Sequence, residues 1–205
     1  MLKVGLTGNI GSGKTLIAQV FSTLGVPVFH ADSEARKLYE IEEIREKIKT
    51  IFGPGIFSSS GEIMRSALAE IVFKDTKQLE ELNRIIHPVV RKEYQQWYQQ
   101  HSEAAYTLYE AAILFESGHY REMDKVVCVS APEEMRIARV MRRDGISRRE
   151  VERRMANQWE EKKKIELADY VIRNDETSPV IVQVLEIHKQ LIQNSIRQPA
   201  DKIQN

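Results

Sequence analysis

The first 40 residues change their hydrophobic period three times. Leu2 to Thr7 is a near-continuous apolar run, the pattern of a strand buried on both faces, and it leads into a glycine-rich turn. From Thr15 the period becomes helical: Leu16, Ile17, Val20, Phe21 and Leu24 share one stripe, and Gly25 supplies a stop. Val26-Pro27-Val28-Phe29 predicts a second short strand, after which Asp32-Ser33 could cap a helix running through Leu38. The order strand, loop, helix, strand, helix is that of a parallel α/β sheet.

The middle of the chain carries a different pattern. Gly53-Pro54-Gly55 and Ser58-Ser59-Ser60-Gly61 punctuate it, and the intervening segments are helical. Ile63, Leu68, Ile71 and Val72 form one stripe; Leu79, Leu82, Ile85 and Ile86 form another. Pro88 is expected to break that run at His87, with a further helix through Val89, Val90, Tyr94, Trp97 and Tyr98. Strand patterns return at Tyr106–Tyr109 and Lys125–Val129, followed by a helix from Pro132 to Arg143. The charged residues 144–168 read as helical, Asp169–Arg173 as a last strand, and Val180, Val184, Ile187, Leu191 and Ile192 as a closing helix. The polar tail from Ser195 is expected to fray. The predicted division is a core of residues 1–34, 100–140 and 165–205, a helical insertion at 35–99, and a helical lid at 141–164.

Composition narrows the class. Hydrophobic residues at 42% and charged residues at 29% make a globular mix rather than a disordered one. Thirty basic and thirty acidic residues give zero formal charge, which argues against a chain built to coat nucleic acid or an anionic membrane. No stretch approaches the roughly 18 apolar residues of a membrane span, and the N-terminus does not read as a signal peptide. A cytoplasmic location is the expectation. The single cysteine, Cys128, lies in an apolar run and excludes a disulfide framework; it reads as a buried thiol.

The zero hides an asymmetry. Residues 136–164 hold eleven basic and five acidic side chains, a local excess of +6. Arg136, Arg139 and Arg143 fall on one helical face, with Arg148, Arg149, Arg153 and Arg154 beyond Gly145. Such a segment could bring guanidinium groups to phosphates, or be a solvated face laced with pairs such as Glu150–Arg154.

Chemistry concentrates at residues 8–15, Gly-Asn-Ile-Gly-Ser-Gly-Lys-Thr, which match Gly-x-x-x-x-Gly-Lys-[Ser/Thr] between a strand and a helix. The expected nucleotide-binding residues are Gly8, Asn9, Ile10, Gly11, Ser12, Gly13, Lys14, Thr15 and Leu16. Backbone N–H groups and the helix N-terminus would cradle an ATP phosphate, Lys14 would reach the β/γ-phosphates, and the Thr15 hydroxyl would take a Mg²⁺ position. No Asn-Lys-x-Asp or Asp-x-x-Gly is present, which argues against a GTPase, and no run of four apolar residues ends in Asp, as in a motor ATPase. Leu16 spoils Gly-x-Gly-x-x-Gly and weakens a dinucleotide-binding reading. A kinase for a small molecule remains. Asp32 could accept a proton from the acceptor hydroxyl or cap its helix. Arg36 could clamp substrate phosphate or be solvated. Glu110 could hold Mg²⁺ through water and Glu116 could border a pocket, each equally readable as an ordinary acid; His87 could touch substrate, though a lone His beside a helix break is more often structural.

Over nearly its whole length the chain resembles the dephospho-coenzyme A kinases. The resemblance rests on Val4 to Thr15, Ala31-Asp32 with Ala35-Arg36, and Phe52-Gly53 followed by Gly61 and Arg65 and ending at Val72-Phe73. It continues through His87-Pro88, Ile113-Leu114-Phe115-Glu116, Arg142-Arg143-Asp144, Asn157-Gln158 and Ala168 to Asn174. Their order and spacing together are specific. The resemblance implies a P-loop core with a parallel sheet flanked by helices, a helical coenzyme-A-binding insertion and a mobile lid. It implies MgATP-dependent phosphorylation of the ribose 3′-hydroxyl of dephospho-coenzyme A, with no nucleic-acid or membrane partner. Asp32 would be the catalytic base, beside Lys14, Arg139 and Arg143, while Arg36, Arg65, His87 and Glu116 would contact the acceptor. The competing readings are a nucleoside monophosphate kinase and a non-catalytic ATP- or nucleic-acid-binding module. Asn9, Leu16, Glu110 and Ala112 depart from the residues usual in the family.

Overall fold

The computed structural model describes residues 1–72 and 74–201, the last five as backbone alone. Phe73, quoted in the resemblance, and residues 202–205 lie outside it. Two compact units emerge, one built from Met1–His30 and the chain from Tyr98 onward, the other from Ala31–Trp97.

The first unit contains a five-stranded sheet in the order β2-β3-β1-β4-β5, with β1 Leu2–Thr7, β2 Val28–His30, β3 Tyr106–Glu110, β4 Lys125–Ser130 and β5 Tyr170–Arg173. Every pairing is parallel, with Leu6 opposite Glu110, Thr7 opposite Cys128, His30 opposite Glu110 and Ser130 opposite Arg173. The carboxyl ends of all five strands therefore share one edge, and the loops leaving that edge are neighbours.

One sheet face is read by a strict period of two. Leu2, Val4, Leu6, Tyr106, Leu108, Val127, Val129 and Ile172 pack under Ile17, Ala18 and Phe21 of α1 (Lys14–Thr23) and Val184, Ile187 and Leu191 of the final helix. The opposite face buries Thr107, Tyr109, Val126 and Cys128. Burial on both faces is why the strands read as apolar runs rather than alternations. Leu16, assigned to the α1 stripe from sequence, is 54% exposed: the stripe that meets the sheet is set by Ile17 and Phe21.

The second unit is helical: α2 Ala31–Lys37, α3 Glu42–Phe52, α4 Arg65–Val72 and α5 Thr76–Gln100, the last continuing past the unit boundary. Its one strand-like feature among the described residues is an isolated bridge between Phe57 and Ile63. The expected break at Pro88 is absent, since α5 runs through it for 25 residues. Proline inside a helix costs about 3 kcal/mol. Leu82, Ile86, Val90 and Tyr94 are all buried on one side of α5, and each such side chain contributes about 1.5–3 kcal/mol, so packing wins. Asp32 sits in the first turn of α2 rather than ahead of it, which removes the cap reading.

After β4 come α6 Glu133–Asp144, α7 Arg148–Met155, α8 Glu161–Leu167 and, after β5, α9 Val180–Asp201. The tail expected to fray from Ser195 is helical to Asp201. Residues 144–168 are not one helix. Ser147 and Glu150 form a reciprocal capping box that starts α7, so Glu150 serves the cap while Arg154 pairs with Asp144 at 3.0 Å instead. Between α7 and α8 the groups of Gln158 and Trp159 are bonded to other parts of the molecule, which is why the helix stops there.

Candidate active site

The loop at the carboxyl end of β1 is shaped by close approaches that a side chain would prevent. Gly11 has φ +80, and a Cβ there would collide with the carbonyl oxygen of Arg136 on α6. Gly13, at φ +96, lies against the Asn174 carboxamide, which donates to the Ser12 carbonyl at 2.8 Å. Both dihedrals belong to the region that glycine enters without strain. Asn174 itself follows β5 and is held by its own N–H on Ser130 O at 2.8 Å. The loop thus rests on the backbone of α6 and on the Asn174 side chain just past β5.

Helix α1 begins at Lys14, so the N–H groups of its first turn, those of Thr15 and Leu16 among them, leave the helix at its positive end. Thr15 is exposed there and Lys14 is half-buried. The Ser12 hydroxyl is buried without a protein partner, while its N–H donates to Asn9 O at 3.0 Å. Amide donors and the positive end of the α1 dipole are the chemistry that an anion at this place would need. Two groups of the loop bond to the segment before α8. The Ile10 N–H donates to Gln158 Oε1 at 2.8 Å, and the Asn9 carboxamide donates to Trp159 O at 3.1 Å.

The arginines predicted on one face have different partners. Arg136 is buried, its Nε on Ala131 O at 3.0 Å and its guanidinium 3.6 Å from Glu161, so it builds the core. Arg139 is placed at the loop's support: both its terminal nitrogens lie 3.2 Å from Asn174 O, and one is 3.2 Å from Glu176. Arg143 is turned to solvent and pairs with Asp144 at 2.7 Å, an arrangement that holds the Asp144 carboxyl below its ordinary range.

Glu116, read as a substrate contact, is engaged internally. It accepts the Trp159 N–H at 2.8 Å and pairs at 2.7 Å with Lys164, which is fully buried and also lies 3.3 Å from Ala112 O. Glu110 is buried at the end of β3, with a carboxylate oxygen 3.0 Å from His30 Nδ1 across the β2–β3 register. No local signal in the sequence marks Gln158 or Asn174 as neighbours of the loop, since their loop partners Ile10 and Ser12 lie 148 and 162 residues away. Cys128 is buried, and burial pushes its thiol up to about 12.

Within the helical unit, Arg36 and Arg65 share a neighbour. Burial raises the Tyr39 hydroxyl above its ordinary value, and the two guanidinium groups draw it back. Both arginines are exposed, Asp32 and His87 are half-buried, and His87 lies directly before Pro88 inside α5.

The profile of the dephospho-CoA kinase family matches residues 2–179. The chain belongs to the dephospho-CoA kinase family. A dephospho-CoA kinase of Bacteroides fragilis is 37% identical over 91% of this chain and 91% of its own. Another, from Aquifex aeolicus, is 38% identical over 91% of this chain and 97% of its own. A crystal structure from Thermus thermophilus superposes with a TM-score of 0.81 at 33% identity, covering 94% of this chain and 97% of that one. The family is one of transferases, for which ATP is the phosphoryl donor. Among the described residues no helix is long and apolar enough to cross a membrane, and no group of three or more His, Cys, Asp or Glu could hold a metal ion.

Proposed function

We propose that this chain carries out the reaction named for its family. It would transfer the γ-phosphoryl group of ATP to the ribose 3′-hydroxyl of dephospho-coenzyme A, giving coenzyme A and ADP. The observation that carries the reading is the anion-binding hollow at residues 8–15, held on Arg136 O and Asn174, in a chain matched by that family from residue 2 to 179.

The nucleotide enters as its magnesium complex. Magnesium bound to nucleotide phosphates needs only one or two protein oxygens, so the exposed Thr15 hydroxyl at the start of α1 suffices. The amides of Gly11 and Gly13 and of the first turn of α1 orient the phosphates. Lys14 neutralises charge on the β- and γ-phosphates, and Arg139 supplies a second cation on the Asn174 side as charge moves to the leaving oxygen. Asp32, two residues past the end of β2, takes the proton of the acceptor hydroxyl. Arg36 and Arg65, both close enough to act on the Tyr39 hydroxyl, hold the acceptor's phosphates, with His87 as a further contact. Residues 141–164 form the lid, anchored at its far end by Gln158 on the Ile10 N–H, Trp159 on Glu116 and Lys164 on Ala112 O. Closure excludes water, which would otherwise take the γ-phosphoryl group.

ADP release is measured with dephospho-coenzyme A, with nucleoside monophosphates and with no acceptor. Turnover with dephospho-coenzyme A well above the other two is expected. Turnover with the monophosphates alone refutes the reading.

A further inference from the structure

The phosphate loop is bonded residue by residue to the segment between α7 and α8. Asn9 donates to Trp159 O at 3.1 Å, and the next residue, Ile10, donates to Gln158 Oε1 at 2.8 Å. Gln158 uses its other end too, its Nε2 lying 3.4 Å from Ala112 O. A carboxamide with an N–H at one end and a carbonyl at the other has one favourable orientation, so the bridge is directional. Trp159 is fixed in turn, its N–H on Glu116 and its ring stacked with Phe115 at 6.3 Å between centroids.

The side chain of Ile10 completes the link. It packs on the cluster of Ile137, Val140 and Val151 between α6 and α7, beside Ile146 and Met155. A second route joins the same parts, because Arg139 of α6 donates to Asn174 O and the Asn174 carboxamide donates to Ser12 O. The loop cannot change shape at Ile10 without breaking the Gln158 bridge and lifting a side chain out of the α6–α7 cluster.

We propose that Gln158 is a positioning residue for the nucleotide: it holds the phosphate loop in its binding shape from the α7–α8 junction and couples that shape to the arginine-bearing helix α6. Gln158 takes the Ile10 N–H away from the hollow and so selects Gly11, Gly13 and the first turn of α1 as the amides that meet phosphate. Ordering the loop in advance removes a cost that nucleotide binding would otherwise bear. The hydrogen bond from Ile10 is uncharged and half-buried, of a kind that contributes up to about 1.5 kcal/mol, close to a tenfold change in affinity.

This rests on the loop binding a nucleotide, as proposed above, but not on which acceptor is phosphorylated. The test is calorimetric titration of MgADP into Gln158→Leu, which cannot bridge, and Gln158→Asn, which is too short to reach both partners. MgADP affinity is expected to fall about tenfold in both. In turnover, KM for ATP should rise by a similar factor, with KM for the acceptor within about twofold of the parent. A role confined to stability would reduce the folded fraction and leave the MgADP affinity of that fraction unchanged, and that result overturns the proposal. If the leucine variant does not fold, the asparagine variant decides; failure of both to fold marks Gln158 as structural only and also overturns it. A parent chain that binds MgADP but leaves dephospho-coenzyme A unmodified would refute the assigned reaction and leave this inference standing.

Discussion

Replacing Lys164 by methionine keeps an unbranched stem in a fully buried site but removes the ammonium group. Glu116 then loses its cation at 2.7 Å, and its Oε2 already has no hydrogen-bond partner. Trp159 N–H alone remains to offset a carboxylate whose side chain is only 13% exposed. Breaking one side of a buried pair costs about 3–5 kcal/mol. With a urea dependence of about 2 kcal/mol per molar, the midpoint of unfolding should fall by about 1.5–2.5 M. Glu116→Gln in the same background removes the stranded charge and can still accept from Trp159, while Gln158 continues to serve Ala112 O. The double variant should therefore recover more than half of the loss. Urea unfolding of the three variants and the parent, followed by far-ultraviolet circular dichroism, measures this. A Lys164→Met loss below about 1 kcal/mol, or a double variant as unstable as the sum of the two singles, would refute the argument that the pair is coupled.

Asp32→Asn should lower kcat at least about a hundredfold while MgADP titration stays near the parent value; near-normal turnover returns Asp32 to a structural role in the first turn of α2. Gly11→Ala places a Cβ against Arg136 O at a left-handed φ of +80, and a cost of about 2 kcal/mol should lower Tm by roughly 4–8 °C in calorimetry; an unchanged Tm contradicts the close approach. The Cys128 thiol, lifted by burial from 9.0 to about 12, should resist alkylation in the native protein near neutral pH and react on unfolding. The folded value lies above the ordinary one, so this group's contribution is complete below 9.0 and lost as pH climbs toward 12. Rapid native-state labelling would contradict its burial.

The sheet and its loop were legible because their signals are local. A strand buried on both faces is an apolar run wherever it occurs, and the spacing from Gly8 to Thr15 encodes dihedrals and a helix start without help from the rest of the chain. What escaped depends on partners far away in sequence. Pro88 reads as a breaker until the four buried side chains of α5 are weighed against it. Arg136 and Arg139 share a face by periodicity, yet Ala131 O and Glu161 draw one into the core while Asn174 O draws the other toward the loop. Lys164 is the last of three consecutive lysines, and nothing nearby separates it from Lys162 and Lys163, which are exposed. Gln158 lies in the helical-looking 144–168 stretch, where only the partner at Ile10 reveals why the helix is interrupted. The charge excess at 136–164 does not tell which of its cations are engaged by internal carboxylates, as Arg136, Arg143, Arg154 and Lys164 are.

The proposed function comes down to one chemical event, addition of a phosphoryl group to the ribose 3′-oxygen of dephospho-coenzyme A. The direct measurement is a mass spectrum of the acceptor after incubation with MgATP and the chain, with phosphorus NMR to locate the new ester. One added phosphoryl group is expected, on the 3′-oxygen, with one ADP formed for each. Unmodified acceptor with ADP accumulating, or phosphate at any other position, would contradict it.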